Sequence, residues 1–278
     1  MNTKFSFHVL DRALSTKRPH GDPSTQEFSD WLANQLPGCR IDAVGNIHFT
    51  TGRERTLFCA HVDTVHETGG TNRLQKDALY WRAHDAPLGA DDGAGVALLM
   101  HMIRAGVPGH YLFTQGEEQG CIGSGELVQS EGDLLRGFDR AIAFDRKGTS
   151  SVITHQRGQR CCSDNFATHL AAQLNVSGMG LALKPDATGS YTDTGEFTHL
   201  IGECTNVSIG YAYAHSDNEY LDLVHFEAMC HAAVRVDWES LPKVRTQMIA
   251  ESVIDAWAYP HSADTAGTTA EKNARSWS

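Results

Sequence analysis

Gly89-Ala90-Asp91-Asp92-Gly93-Ala94-Gly95 stands thirty residues beyond His61-Val62-Asp63-Thr64-Val65, and the two segments have one design in common. Each sets an acidic or imidazole group at the mouth of an apolar run: Leu57-Phe58-Cys59-Ala60 leads into His61, and Val96-Ala97-Leu98-Leu99-Met100 follows Gly95. Tyr111-Leu112-Phe113-Thr114 precedes Gly116-Glu117-Glu118 in the same way, and Ala141-Ile142-Ala143-Phe144 precedes Asp145. Short apolar runs of this kind read as buried strands. In sheets with helical crossovers, ligands sit outside the carboxyl ends of the strands. Carboxylates gathered at one such edge repel each other and are costly to bury unless a cation lies among them. The pattern points to a metal site.

Working outward, residues 5–36 read as two helical pieces separated by Arg18-Pro19-His20-Gly21-Asp22-Pro23, the second capped by Ser24 or Thr25 and ended by Pro37-Gly38. A hairpin follows, with Gly45-Asn46 between Arg40–Val44 and Ile47–Thr50. Strands are expected at 55–60, 111–115, 141–145, 151–155 and 204–210, with an edge strand at 79–83. Helices are expected at 93–105, 123–130, 164–174 and 226–236. Strands alternating with helices predict an α/β fold, a three-layer sandwich with a mostly parallel central sheet, as a single domain over residues 1–258. Residues 259–278 turn small and polar and are expected to form a disordered tail. No internal repeat is visible.

With 23 basic and 34 acidic residues the net charge is −11, and no Lys/Arg block stands out. That balance disfavours nucleic acid or an anionic membrane as partner. The seven cysteines lack metal-type spacing, and the adjacent Cys161-Cys162 suit an ordinary disulfide poorly, so free thiols in a reducing compartment are expected. Met1–His8 carries no signal-like apolar run and no stretch nears the ~20 residues of a membrane span. The expectation is a cytoplasmic protein.

The series His61-x-Asp63-x-Val65, Gly89-Ala90-Asp91-Asp92, Glu117-Glu118, Asp145 and a late His215 resembles the co-catalytic dizinc peptidases, the clan holding peptidase T, the M20 family and the M28 aminopeptidases. The likeness runs from about residue 20 to 237. It implies a zinc-exopeptidase-like fold with two divalent metal ions, zinc above all, with cobalt or manganese as alternatives. By that resemblance His61 and Asp145 serve one metal, Glu118 and His215 the other, and Asp91 bridges them across a cis Asp91–Asp92 peptide. Imidazole and carboxylate suit zinc, and a shared carboxylate spans metals ~3.5–4 Å apart. Glu117 is implied as general base. Asp63, two residues along the strand from His61, would fix the imidazole tautomer. His215 has competitors in His199, His225 and His231.

The resemblance is incomplete in one respect. Many M20 enzymes insert a lid domain between the positions of Asp145 and His215, where only 70 residues lie here. The interval from His61 to Asp91, 30 residues, has no room for the other familiar insertion either, so the layout is that of a bare catalytic domain, and oligomeric state stays open. Tyr191 could donate to an oxyanion or simply pack. Asp193 could meet a substrate amino group or cap a turn, and Arg146 could bind a substrate carboxylate or stay solvated. The expected activity is hydrolysis of small peptides from the amino end. The alternatives are a carboxypeptidase or a deacylase of N-acyl amino acids, and, in another class, an inactive metal-binding relative or assembly factor.

Overall fold

Leu57 and Cys59 face one helical layer while Phe58 and Ala60 face the other, and all four are buried. The same alternation recurs at Tyr111, Leu112 and Phe113 and at Ala141, Ile142, Ala143 and Phe144. A sheet whose strands are apolar on both sides must be covered on both sides. The computed structural model describes residues 7–52, 55–176 and 180–245, and there the chain forms that three-layer sandwich.

The strands of the main sheet and its satellite are β1 (Arg40–Ile41), β2 (Ile47–Thr51), β3 (Thr56–His61), β4 (Leu74–Lys76), β5 (Tyr80–Ala83), β6 (Gly109–Thr114), β7 (Arg140–Arg146), β8 (Ser151–Ile153), β9 (Lys184–Asp186), β10 (Glu203–Ser208), β11 (Tyr211–Ala212) and β12 (Tyr220–Asp222). The eight-stranded sheet has the order β9-β8-β10-β7-β3-β6-β2-β1. Its centre, β10-β7-β3-β6, is wholly parallel, and antiparallel pairs appear only towards the flanks. The parallel centre aims the carboxyl ends of four strands at one edge.

One face carries α1 (Phe7–Leu14), α2 (Pro23–Asn34) and α3 (Ala90–Arg104), together with α5 (Asp164–Asn175) and α7 (Leu223–Ala233); the other carries α4 (Ile122–Ser130) and the short α6 (Asp193–Glu196). Helix α3 is buried along nearly its whole length, which is why its sequence is apolar and small all round rather than striped. Three caps are side-chain oxygens: Asp22 accepts from Ser24 N, Ser163 from Phe166 N and Asp222 from His225 N. Asp22, not Ser24 or Thr25, therefore opens α2, because Pro23 takes the first helical position, where its missing N–H costs nothing.

The strand expected at the sheet edge over 79–83 is instead interior to a second sheet of order β11-β12-β5-β4, all antiparallel. The real edges of the main sheet are guarded. At one, β9 carries Pro185 between Lys184 and Asp186; at the other, β1 is two residues long and Arg40 pairs with Glu131 at 2.7 Å. The tail expected at 259–278 lies outside the described residues.

Candidate metal centre

His61 is the last residue of β3, Asp145 lies near the end of β7, and Glu117 and Glu118 follow β6 on a tight turn. That turn needs Gly116 at φ +69°, a conformation side chains resist. Asp91 stands at the broken start of α3, where the ψ angles of Asp91 and Asp92, 99° and 36°, are not helical. Their peptide bond is cis. His215 comes from the loop joining β11 to β12, at φ +64°. Five separate segments thus deliver six groups to the carboxyl edge of the parallel centre.

Asp91 divides its two oxygens between two imidazoles: Oδ1 lies 3.1 Å from His61 Nε2 and Oδ2 lies 3.1 Å from His215 Nε2. Around His61 Nε2 also stand Asp145 Oδ1 at 3.7 Å and Glu117 Oε2 at 3.9 Å. Glu118 Oε1 is 3.1 Å from His215 Nε2, yet it is buried and makes no hydrogen bond. In a tetrahedral zinc site with bonds of ~2.0–2.1 Å, ligand atoms lie about 3.3–3.4 Å apart, close to the spacings seen here. His61 Nδ1 faces the Asp63 carbonyl at 3.1 Å, an acceptor only. The ring must therefore donate from Nδ1, and a neutral imidazole then aims its Nε2 lone pair at carboxylates. Either an added proton or a cation has to stand between them.

The charges respond as such crowding requires. Burial, reinforced by Asp145, Asp193 and Asp91 and opposed by His61, pushes the Glu117 carboxyl up to about 9. Burial and the Asp91 charge push Asp145 to about 7. Contacts with Asp91 and Glu118 lift His215 to about 10. Burial works against a charged His61, but Asp145, Asp63 and Asp91 outweigh it and raise that imidazole too. Asp91, buried as well, is held below the usual carboxylate range by His215 and His61. Without a metal, protons take the place that a cation would fill.

Asp63 is buried beneath the cluster. Its nearest contact with His61 is through its backbone carbonyl, with Oδ1 farther off at 3.6 Å. Its carboxylate instead accepts the amides of Glu117 and Glu118, each at 3.1 Å, and so fixes the turn that presents both acids. Of the competing histidines, none belongs to a described group of acids and imidazoles close enough to share an ion, whereas His215 does; His225 sits against Ser208 O at 3.3 Å.

The three residues considered for substrate are engaged elsewhere. Asp193 is 1% exposed, its oxygens taken by Ser124 and Thr114 hydroxyls at 2.5 Å each. It buttresses α4 against β6 and does not reach the open face. Tyr191 donates its hydroxyl to Glu196 at 2.6 Å and lies under the Arg157 guanidinium, 3.8 Å from the ring centroid. Arg146 donates to Thr188 O at 3.1 Å.

Other residues that build the site were not singled out from sequence. Thr192 donates to Asp145 Oδ2 at 2.7 Å, and Tyr211 donates to the Asp145 carbonyl at 2.8 Å. Arg18 is fully buried behind the His61 segment, where its backbone N bonds Thr64 Oγ1 at 3.0 Å and its Nε bonds Val62 O at 2.6 Å. Glu219, 1% exposed, accepts the amides of Gly89, Ala90 and Asp91. Its spacing of four residues from His215 was the one available signal.

A family model described as peptidase family M28 matches residues 43–221. No curated protein sequence matches. Among solved structures the chain is similar to a Staphylococcus aureus tripeptidase (15% identity, 82% of this chain and 96% of that one, TM-score 0.68). It is similar also to aminopeptidase PepT from Bacillus cereus (12%, 82% and 96%, TM-score 0.63), and to the TET1 peptidase of Pyrococcus horikoshii (15%, 82% and 98%, TM-score 0.61). At these identities the likeness is one of fold.

Proposed function

The chain belongs to peptidase family M28, a metallopeptidase by that membership, and from this premise we propose that it is a two-metal aminopeptidase acting on small peptides. The observation that carries the reading is Asp91, with one oxygen 3.1 Å from each of two imidazoles. His61 and Asp145 would hold one cation, Glu118 and His215 the other, and Asp91 both. Oε1 of Glu118 supports this donor set: it is buried, makes no hydrogen bond, and has the His215 imidazole 3.1 Å away, a pair that a shared cation would satisfy. Zinc suits imidazole and carboxylate oxygen, with cobalt and manganese as further candidates.

When bound, two divalent cations would acidify water and polarise the scissile carbonyl. Glu117, at the rim of the cluster with its side chain 14% exposed, takes the water proton and returns it to the departing amine. The Asp63–amide bonds keep Glu117 at its station throughout, because the turn is fixed by two hydrogen bonds rather than by the side chain's own packing. Thr192 and Tyr211 hold the Asp145 carboxylate in one orientation.

The fold neighbours named as an aminopeptidase and a tripeptidase favour the choice of the amino end, and the guanidinium of Arg146, the group that would have met a substrate carboxylate, is turned to Thr188. A reducing compartment suits the chain, since all seven cysteines are unpaired; no described helix is long and apolar enough to cross a membrane. The test is hydrolysis of a dipeptide series blocked at the amino end, the carboxyl end or neither, with zinc-loaded protein. Cleavage that requires a free amine is expected. Cleavage of amino-blocked substrates that requires a free carboxylate would replace this reading with a carboxypeptidase or deacylase, and no cleavage at all would favour an inactive relative.

A further inference from the structure

Asp91 is carried on a stretch of irregular backbone, spanned by one helical hydrogen bond from Gly93 N to Gly89 O at 3.1 Å. Gly89 has φ +72°, the Asp91–Asp92 peptide is cis, and the helix becomes regular only beyond Asp92. Two carboxylates hold this stretch from opposite sides. On the His61 side, Asp92 Oδ2 accepts the backbone N–H of His61 at 3.3 Å, while its Oδ1 accepts Gly95 N at 3.0 Å. On the His215 side, Glu219 Oε1 accepts Ala90 N at 2.8 Å and Asp91 N at 3.2 Å, and Oε2 accepts Gly89 N at 3.1 Å.

We infer that Glu219 is a positioning residue that locks Asp91 to the His215 segment and thereby sets the affinity of the metal position on that side. The inference rests on the two-metal reading above. Glu219 follows His215 by four residues, and its own N–H bonds Ser216 O at 3.0 Å, closing the loop between them. The carboxylate therefore ties two ligand-bearing segments, distant in sequence, into one unit. Three consecutive amides on one buried acid leave that loop little freedom, because each N–H released inside the protein would stand unsatisfied. Asp92 gives the His61 side an anchor independent of Glu219, so the two metal positions should respond unequally to loss of Glu219.

Glu219→Gln keeps the shape but turns one accepting oxygen into a donor that faces a backbone N–H. Glu219→Asp keeps the charge and withdraws it by one methylene. The experiment is calorimetric titration of metal-free wild type and both variants with Zn2+, repeated with Co2+ while following visible absorption. Wild type is expected to bind two equivalents. Both variants should keep one at near-wild-type affinity and bind the second about 10–100-fold more weakly, the usual effect of losing a group that orients a metal ligand. Activity lost at limiting metal should return with excess metal, which a damaged fold would not allow. Wild-type affinity for both equivalents in Glu219→Gln would overturn the inference and leave the two-metal reading intact. Equal weakening of both positions, or failure of both variants to fold, would make Glu219 a support of the fold instead. Wild type that binds fewer than two ions would remove the reading beneath it.

Discussion

Glu117→Gln removes a charge from the centre of the proposed chemistry while altering almost nothing else. The backbone N–H of Glu117 bonds Asp63 Oδ1, so the turn is anchored without the side chain. The ligand-donor contacts of Asp91 with His61 and His215, and of Glu118 with His215, do not involve Glu117. Metal content should therefore stay at two equivalents. A positioned general base contributes about 10²–10⁴ in rate, which corresponds to about 2.7–5.5 kcal/mol of barrier. The expected result is a fall in kcat of that size with KM little changed, read from initial rates on an unblocked dipeptide and paired with metal analysis of the same sample. A variant within tenfold of wild-type kcat, both metals in place, would refute the assignment of the base.

Three further perturbations test the surrounding structure. Asp63→Asn puts a donor where the amides of Glu117 and Glu118 need acceptors, and kcat together with metal affinity should drop about 10–100-fold; unchanged titration and kinetics would deny the turn its role. A Cβ added at Gly123 would meet Asn46 Oδ1 at 2.2 Å and Gln115 O at 2.7 Å, so Gly123→Ala should cost about 1–3 kcal/mol in denaturant unfolding, and a neutral result would mean the loop yields freely. For the metal-free protein, stability should fall as pH rises from 6 to 9. Glu117, Asp145, Glu219 and His215 all have native pKa values above their ordinary ones. Each contributes stability below its ordinary pKa that is lost as pH rises through the native value, whereas Asp91, shifted downward, loses its contribution only in acid. Thermal unfolding in chelator should trace that decline. Zinc held 100-fold above its Kd should add about 2.7 kcal/mol per site, roughly 5–11 °C for a domain of this size, and a Tm indifferent to both pH and zinc would contradict the cluster.

The chain's central logic is legible because it is local. An apolar run with an acid or imidazole at its end announces both a buried strand and what the strand delivers, and His61, Glu117, Glu118 and Asp145 are delivered in this way. Asp91 is legible for a related reason, since the small residues around it leave room for an irregular backbone. What escaped the sequence is tertiary. Strands β4, β11 and β12 are two or three residues long, too short to show periodicity, and they exist because distant segments pair; the strand at 79–83 is legible, but not its place inside a second sheet. Glu219 looks like one more surface acid until the three amides above it are seen. Asp193 misleads in the opposite direction. An acid in a Gly-Ser-Tyr-Thr loop suggests exposure, but the loop turns into α6 and the carboxylate goes inward to two hydroxyls.

The guarded edges of the main sheet carry a consequence for how this molecule meets others. Pro185 offers no N–H to an incoming strand, and the charged residues on either side of it oppose a flat apolar approach. The opposite margin ends after two residues, with Arg40 drawn off to Glu131. Both described margins of the main sheet thus oppose pairing with another chain, which disfavours strand-by-strand growth through that sheet. If copies of this chain do assemble, the guarded margins predict that they join through helices and loops rather than by extending the main sheet.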